Sequence, residues 1–367
     1  MTDTTSKLTP KNYISEIAAY VPGKAGASKS VAKMSANENP LGCSPLASQA
    51  AADERENFAR YPNPASHDLR SAIAAQYGLN EDLIVCGTGS DELLNLAAQG
   101  YAGAGDEIIH VQYGFVVYEI ATRKVGAKVV IAPAKDYGTD VDAILALVTE
   151  NTRVVFLANP NNPTGTITPQ SEIERLHSAL PSNCLFVLDQ AYGEYLDDDG
   201  PRAFDLARKH DNVLITRTFS KIYGLAAERI GWAFGHANII DTLNRIRGPF
   251  NVTTIGQAAA IAALKDQEFM LGSRNHNEKW RSWMMDALGA LSNHGLTAIP
   301  SAGNFIMVIF DGIEAGEINQ QLADAGFMVR YLPGQGLANG LRISIGTEQE
   351  NHGFIDALRT ILESRAK

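Results

Sequence analysis

From about residue 83 onward, short apolar runs rich in β-branched residues alternate with longer amphipathic stretches. This alternation is typical of βαβ units, in which buried strands are connected by helices that cover the sheet. It predicts an α/β domain with a mostly parallel, seven-stranded sheet covered by helices. The predicted strands span residues 83–86, 107–111, 128–131, 153–158, 184–189, 213–217 and 230–234.

The pattern changes after Pro249, where strands and helices no longer alternate. We therefore expect a large domain at residues 46–250 and a smaller α+β domain at 251–367. The segment 1–45 is too short to form a core alone, so we expect it to dock on the smaller domain. The predicted helices of that domain span 253–265, 267–291 and 348–363, and its strands lie near 304–310, 327–331 and 341–345.

The composition is that of an ordinary globular protein, since 45% of the 367 residues are hydrophobic and 20% are charged. These fractions exclude disordered and collagen-like chains. The 31 basic and 41 acidic residues give a net charge of −10. A negative surface repels polyanions, so we expect no nucleic-acid partner.

The three cysteines, Cys43, Cys86 and Cys184, lie far apart and form no CxxC pair. Neither a disulfide framework nor a metal site is therefore predicted. Residues 1–12 are polar and lack the apolar core of a secretion signal, and no apolar run approaches the ~20 residues that cross a bilayer. We expect a cytoplasmic protein with no membrane partner.

One lysine, Lys221, follows a predicted strand within the segment Arg-Thr-Phe-Ser-Lys-Ile-Tyr-Gly at 217–224. A lone lysine is usually a solvated surface residue. At the carboxyl edge of a parallel sheet, however, loops carry ligands, and a partly desolvated lysine there becomes a nucleophilic amine.

Two further segments end at the same edge of the predicted sheet. The strand at 153–158 runs into an Asn-Pro-rich turn that contains Asn162, and the next strand ends in Asp189 followed by Tyr192. Taken singly, the Asn-Pro-rich segment is typical of a turn, and an aspartate at the end of a strand is typical of a helix cap. Together with a lysine, they supply what pyridoxal phosphate needs: an amine for its aldehyde, an anion for its ring nitrogen and donors for its ring oxygen.

The order and spacing of Asn162, Asp189, Tyr192, Lys221 and Arg229 resemble those of the fold-type I aminotransferases. The resemblance implies that Lys221, Asp189 and Tyr192 are catalytic and that Lys221 forms a Schiff base with the cofactor aldehyde. Asp189 would keep the pyridine nitrogen protonated, and Asn162 and Tyr192 would hydrogen-bond the ring oxygen.

The same resemblance implies a cradle for the cofactor phosphate. The glycine turn after the strand at 83–86 would contribute Gly89, Ser90 and Asp91, and the lysine segment would contribute Thr218, Ser220 and Arg229. A dinucleotide-binding turn is the competing interpretation, but Glu92 stands where the GxGxxG pattern requires glycine.

Two tyrosines are assigned by the resemblance alone. Tyr113 matches the aromatic residue that stacks on the pyridine face, although a tyrosine after a strand is as often a core residue. Tyr61 resembles the tyrosine that reaches the cofactor phosphate of a neighbouring subunit, which implies a homodimer with shared active sites.

Segments outside the cofactor site resemble the histidinol-phosphate aminotransferases within this family, namely 20–23, 35–42, 326–330 and 341–346. The resemblance implies that the substrate-binding residues are Tyr20, Asn37, Arg330 and Arg342. Arg342 would bind the α-carboxylate of glutamate in a bidentate fork. Arg330, with Arg342 and Tyr20, would bind the phosphate of histidinol phosphate; a solvent-exposed residue at a strand end is the alternative for Arg330.

The implied reaction transfers an amino group from glutamate to imidazole acetol phosphate, giving histidinol phosphate and 2-oxoglutarate in histidine biosynthesis. One departure from the family pattern is Glu228, which puts a carboxylate beside Arg229. An aromatic amino acid aminotransferase, which could also be a second activity, and a threonine-phosphate decarboxylase are competing interpretations, because the same scaffold serves both. A cofactor-sensing regulator is disfavoured, since no basic helix-turn-helix pattern precedes the core.

Overall fold

The computed structural model describes residues 9–17, 32–196 and 199–365. The strands are β1 (Ala32–Lys33), β2 (Ile84–Gly87), β3 (Glu107–Val111), β4 (Lys128–Ala132), β5 (Thr152–Ala158), β6 (Leu185–Asp189), β7 (Val213–Thr218), β8 (Gly231–Gly235), β9 (Leu296–Ile299), β10 (Phe305–Phe310), β11 (Phe327–Met328), β12 (Arg330–Leu332) and β13 (Leu337–Ser344). The α-helices are α1 (Asn12–Ser15), α2 (Pro45–Asp53), α3 (His67–Tyr77), α4 (Ser90–Tyr101), α5 (Val116–Lys124), α6 (Val141–Leu145), α7 (Gln170–Ala179), α8 (Asp199–Lys209), α9 (Ala237–Ile246), α10 (Thr254–Lys265), α11 (Gln267–Gly289), α12 (Ala315–Asp324) and α13 (Glu348–Arg365).

The predicted seven-stranded sheet is confirmed, with the strand order β2-β8-β7-β6-β5-β3-β4. It is mostly parallel, and β8 runs antiparallel to both of its neighbours. The connection between β7 and β8 holds only a short 3₁₀ helix at Ala226–Glu228, without the α-helix that usually connects parallel strands. The chain turns back on itself at the lysine segment, and β8 pairs with β7 in the antiparallel direction.

Both faces of the central strands of this sheet are buried, whereas the edge strand β4 is partly exposed. On β5, Val155 and Leu157 belong to one hydrophobic core, whereas Val154 and Phe156 belong to a second core on the opposite face, and all four are fully buried. Because successive side chains of a strand point to opposite faces, a continuous apolar run is what a doubly covered sheet requires. The α/β class predicted from the sequence is therefore correct for residues 84–235.

A second, four-stranded antiparallel sheet, ordered β12-β13-β10-β9, carries the smaller core. That core includes Trp280, Ile306 and Phe354. Helix α10 and Met270 instead pack in the larger core, although the predicted boundary at 250 assigns them to the smaller domain. The two cores therefore meet along α11, with Met270 in the larger and Trp280 in the smaller, and the domain boundary at 250 stays a prediction.

The described part of the N-terminal segment touches both domains. Strand β1 pairs in parallel with β11 of the smaller domain, and the Ala32 amide donates to the Gly326 carbonyl at 2.9 Å. Nearer the N-terminus, Glu16 forms a 3.0 Å ion pair with Arg123 of α5 in the larger domain. The described residues of the segment thus contact the smaller domain at β1 and the larger domain at Glu16, and docking of the whole segment on the smaller domain stays a prediction. Across residues 9–17, 32–196 and 199–365, no helix combines the length and apolarity that crossing a membrane demands.

Candidate active site

A cavity of about 330 Å³ lies between the two domains, at the carboxyl edge of the seven-stranded sheet. Residues from both domains line it. Most of the predicted site residues are among them: Asn37, Ser90, Asp91, Asn162, Asp189, Tyr192, Thr218, Ser220, Lys221, Arg229, Arg330 and Arg342.

The convergence follows from the sheet topology. Strands β5, β6 and β7 are parallel neighbours, and the register pairs Ala158 with Asp189 and Asp189 with Thr216. Their carboxyl ends therefore deliver the Asn162 turn, the Asp189 carboxylate and the Lys221 loop to one edge. This is the position at which open α/β sheets bind ligands.

Asp189 is buried and held by three hydrogen bonds. Its Oδ2 accepts from the Tyr118 hydroxyl at 2.8 Å, and its Oδ1 accepts from the Thr216 hydroxyl at 3.1 Å and from the Ala191 amide at 3.2 Å. Burial raises the pKa of Asp189 to about 6, although the hydrogen bonds act in the opposite direction. A cation placed beside the carboxylate would offset the cost of burying its charge.

The Tyr192 hydroxyl is fixed from the smaller-domain side. It accepts a 2.8 Å hydrogen bond from Nδ2 of Asn37, and the Ser344 hydroxyl donates to Oδ1 of Asn37 at 2.9 Å. The Tyr192 ring also packs edge-on against Phe305, with centroids 5.2 Å apart. Asn37, predicted to bind substrate, thus also orients the tyrosine.

The Lys221 amine lies in the cavity next to Tyr192. Its Nζ donates to the Ala36 carbonyl at 3.3 Å and lies 5.7 Å from the centre of the Tyr192 ring. The loop behind it depends on Gly224, which has φ +69° and leaves no space for a side chain: a Cβ there would lie 1.9 Å from the Gly42 carbonyl oxygen. The amine is therefore presented by a closely packed turn.

An anion cradle forms at the N-terminus of α4. Gly89 precedes the helix with φ +80°, and a Cβ at this position would lie 2.6 Å from Nη2 of Arg229. The Arg229 guanidinium donates to the Ser220 hydroxyl at 3.1 Å and to Asp91 at 3.5 Å. Free helix amides, hydroxyls and a guanidinium at one point match the donors that a phosphate requires.

Two arginines come from the sheet of the smaller domain. Arg330 on β12 and Arg342 on β13 are cross-strand partners. Arg342 donates from Nη1 to Oδ1 of Asn162 at 2.6 Å and from Nη2 to the Ser35 carbonyl at 2.8 Å. The predicted carboxylate arginine and the predicted ring-oxygen amide are thus direct neighbours.

Two predicted residues lie outside the cavity, and a third falls outside the described part of the chain. Tyr113 stacks on Tyr137 with ring centroids 5.7 Å apart and does not line the cavity, so its stacking on a cofactor stays a prediction. Tyr61 is 82% exposed and stacks on Phe250 at 4.5 Å, outside the cavity. Tyr20 lies outside the described residues.

Several lining residues were missed by sequence reasoning. Phe115, Val116 and Tyr118 follow β3, whose carboxyl end meets the same edge, and that position was the available signal. Lys33 lines the cavity because β1 pairs with β11, a long-range contact that no local pattern indicates. In the described parts of the chain, no group of three or more His, Cys, Asp or Glu side chains is arranged to hold a metal ion.

Sequence comparison assigns the family. The profile of aminotransferase class I and II matches residues 29–358. The chain is also 56% identical to the histidinol-phosphate aminotransferase of Sphingopyxis alaskensis, over 99% of this chain and 100% of the relative. It belongs to the histidinol-phosphate aminotransferase family.

Other relatives agree with this assignment. The histidinol-phosphate aminotransferase of Zymomonas mobilis is 52% identical over 97% of this chain and 98% of its own length. Among solved structures, the histidinol-phosphate aminotransferase from Sinorhizobium meliloti in complex with pyridoxal-5'-phosphate superposes with a TM-score of 0.89. It is 31% identical and covers 99% of both chains. The family predicted from the site motifs is therefore confirmed.

Proposed function

We propose that this chain transfers an amino group from glutamate to imidazole acetol phosphate, giving histidinol phosphate and 2-oxoglutarate, with pyridoxal phosphate as cofactor. One observation carries the proposal: Lys221, Asp189 and the Arg229 cradle face Arg330 and Arg342 across a single cavity. The first set suits the cofactor and the second suits an anionic substrate. The names of the relatives agree with that division.

The residues fit the cofactor. Ser90, Ser220 and Arg229 would bind its phosphate, the Lys221 amine would bond to its aldehyde carbon, and the buried Asp189 carboxylate would lie at the ring nitrogen. A buried carboxylate whose pKa is raised to about 6 gains stability from a neighbouring cation, and a protonated pyridine is one. When bound, pyridoxal phosphate supplies an electron sink that stabilises negative charge at the substrate Cα.

The side chains of the protein perform the remaining tasks. After substrate has displaced it, the Lys221 amine acts as a base and takes the proton from the substrate Cα. It then acts as an acid and delivers the proton to the carbon that was the cofactor aldehyde. Asp189 holds the proton on the ring nitrogen throughout. Tyr192 and Asn162 donate hydrogen bonds to the ring oxygen. Arg342 binds the α-carboxylate of glutamate through two parallel hydrogen bonds.

We propose in addition that the enzyme is a homodimer in which Tyr61 completes the phosphate site of the neighbouring subunit. The support is an exposed aromatic surface: Tyr61 and Phe58 are 82% and 70% exposed, and Tyr61 stacks on Phe250. Large exposed aromatic side chains are typical of interfaces.

A cytoplasmic location is proposed as well, since Cys43, Cys86 and Cys184 are all free thiols, which a reducing compartment maintains.

The test compares kcat/KM of the purified enzyme for histidinol phosphate, phenylalanine and tyrosine. We expect a preference of at least about tenfold for histidinol phosphate, because only that substrate engages Arg330. A preference for the phenyl substrates would identify an aromatic aminotransferase. Release of CO₂ without a 2-oxo acid partner would identify a decarboxylase. Lys221→Ala should abolish transamination, and turnover near the wild-type rate would refute the mechanism.

A further inference from the structure

The cations that line the cavity divide between the two domains. Arg229 and Lys221 belong to the larger domain and lie with the cofactor residues. The smaller-domain wall carries Arg330 and Arg342, and also Lys33 of β1, which none of the roles above uses. A phosphate ester carries close to two negative charges at neutral pH, so a third cation on this wall has a substrate group to bind.

The position of Lys33 is fixed by its backbone. Strand β1 pairs with β11 in the register Lys33 to Met328, and the next amide, that of Met34, donates to the Met328 carbonyl at 2.9 Å. Arg330 begins β12 two residues further on. Lys33 and Arg330 are therefore delivered to the same wall by neighbouring backbone segments.

The Lys33 amine has a weak partner. Its Nζ lies 2.8 Å from Oε1 of Glu38, and the two side chains are 50% and 41% exposed. Exposed ion pairs of this kind contribute little to stability and exchange readily. Between the two residues, the carbonyls of Ser35 and Ala36 accept from Arg342 and Lys221. Lys33 and Glu38 therefore lie on either side of a backbone segment that lines the active site.

We infer that Lys33 is a specificity-determining residue that binds the phosphate dianion of the substrate, and that Glu38 is its counter-ion when the substrate is absent. This inference rests on the proposed function. The entering phosphate displaces the Glu38 carboxylate from the Lys33 amine. No covalent bond changes.

The experiment compares histidinol phosphate with histidinol, which differ only in the phosphate, at saturating 2-oxoglutarate. We expect Lys33→Met to lower kcat/KM for histidinol phosphate by roughly tenfold or more and to leave that for histidinol unchanged. Lys33→Arg should restore most of the loss. The matched control is Lys128→Met, because Lys128 also forms a 2.8 Å ion pair with a glutamate, Glu107, and does not line the cavity.

A binding measurement accompanies the kinetics. Calorimetric titration of the holoenzyme with inorganic phosphate should show weaker binding for Lys33→Met and tighter binding for Glu38→Gln, since the latter removes the competing carboxylate. Equal losses for histidinol phosphate and histidinol, or no loss for either, would overturn the inference. A wild-type enzyme with no preference for histidinol phosphate over phenylalanine would instead refute the proposed function itself.

Discussion

The Tyr118 hydroxyl donates a 2.8 Å hydrogen bond to Oδ2 of Asp189, and both side chains are buried. Tyr118 lies in the first turn of α5, so a helix of the larger domain orients the carboxylate at the end of β6. The hydrogen bond favours the charged form of Asp189 and opposes the effect of burial on its pKa. Tyr118 is therefore a positioning residue for the proposed ring-nitrogen partner.

We expect Tyr118→Phe to raise the pKa of Asp189, because a donor to the charged carboxylate is lost. Cofactor binding should weaken by roughly tenfold, and the pH below which binding is lost should move upward. Titration of cofactor-free protein with pyridoxal phosphate at several pH values measures both effects. Tyr101→Phe, at the far end of α4, is the control; an unchanged pH profile in Tyr118→Phe would contradict the expectation.

Asp189 makes the cofactor-free protein less stable at higher pH. Its folded-state pKa of about 6 lies above the usual 3.8, so the folded chain holds the proton more tightly than the unfolded chain. The free energy of unfolding therefore falls as pH rises from about 4 to about 6, by roughly 3 kcal/mol. Asp189→Asn should remove this loss and raise the melting temperature of the cofactor-free protein at pH 8, with little effect at pH 4.

The same substitution should have the opposite effect on the loaded enzyme. Asparagine cannot stabilise a protonated ring nitrogen by charge, so we expect the stabilisation that the cofactor confers at pH 8 to shrink. Melting curves with and without pyridoxal phosphate test both predictions. A cofactor-free Asp189→Asn protein that melts below the wild type at pH 8 would refute the argument from burial.

Two aromatic residues that follow β3 differ in their position relative to the cavity. Phe115 lines the cavity, whereas Tyr113 packs on Tyr137. We expect Phe115→Ala to weaken pyridoxal phosphate binding by roughly tenfold, because stacking and buried apolar contact are lost, and Tyr113→Ala to change it less. Equilibrium dissociation constants of the two variants decide; the reverse order would favour the role that the family resemblance gives to Tyr113.

The turn behind the lysine is sterically constrained. Gly224→Ala should cost roughly 3 kcal/mol of stability, because its Cβ would clash with the Gly42 carbonyl in addition to the strain of a positive φ. Gly78→Ala is the matched control, since φ there is +62° and nothing lies within 4 Å of the added Cβ. Denaturant unfolding of both variants separates the clash from the backbone strain. Equal losses would show that the Gly42 contact yields without cost.

The sequence predicted those parts of the molecule whose signals are local. The strands that end at Asp189 and before Lys221 are continuous apolar runs, and their common edge follows from parallel pairing. The reversal of β8 was not predicted, because strand direction depends on the connection and not on the composition of the strand. The predicted strand at 327–331 is two strands, β11 and β12, that belong to different sheets.

Long-range pairing explains the other differences. Lys33 lies at the cavity because β1 pairs with β11. Helix α10 packs in the larger core although it follows the predicted boundary at residue 250. Tyr113 and Phe115 are two residues apart and both aromatic. Phe115 lines the cavity, whereas Tyr113 has φ +59° and stacks on Tyr137, and the spacing of apolar residues does not distinguish between the two.

The short connection before the reversed strand β8 carries two residues with different proposed roles. Lys221 and Arg229 both belong to the chain between β7 and β8, so the proposed point of covalent attachment and the proposed phosphate-binding guanidinium are spaced by a single loop. Under the proposed function, this spacing has to match the distance between the aldehyde carbon and the phosphate of the cofactor. An inserted or deleted residue within the loop would change the distance between Lys221 and Arg229, even though both side chains would still be present.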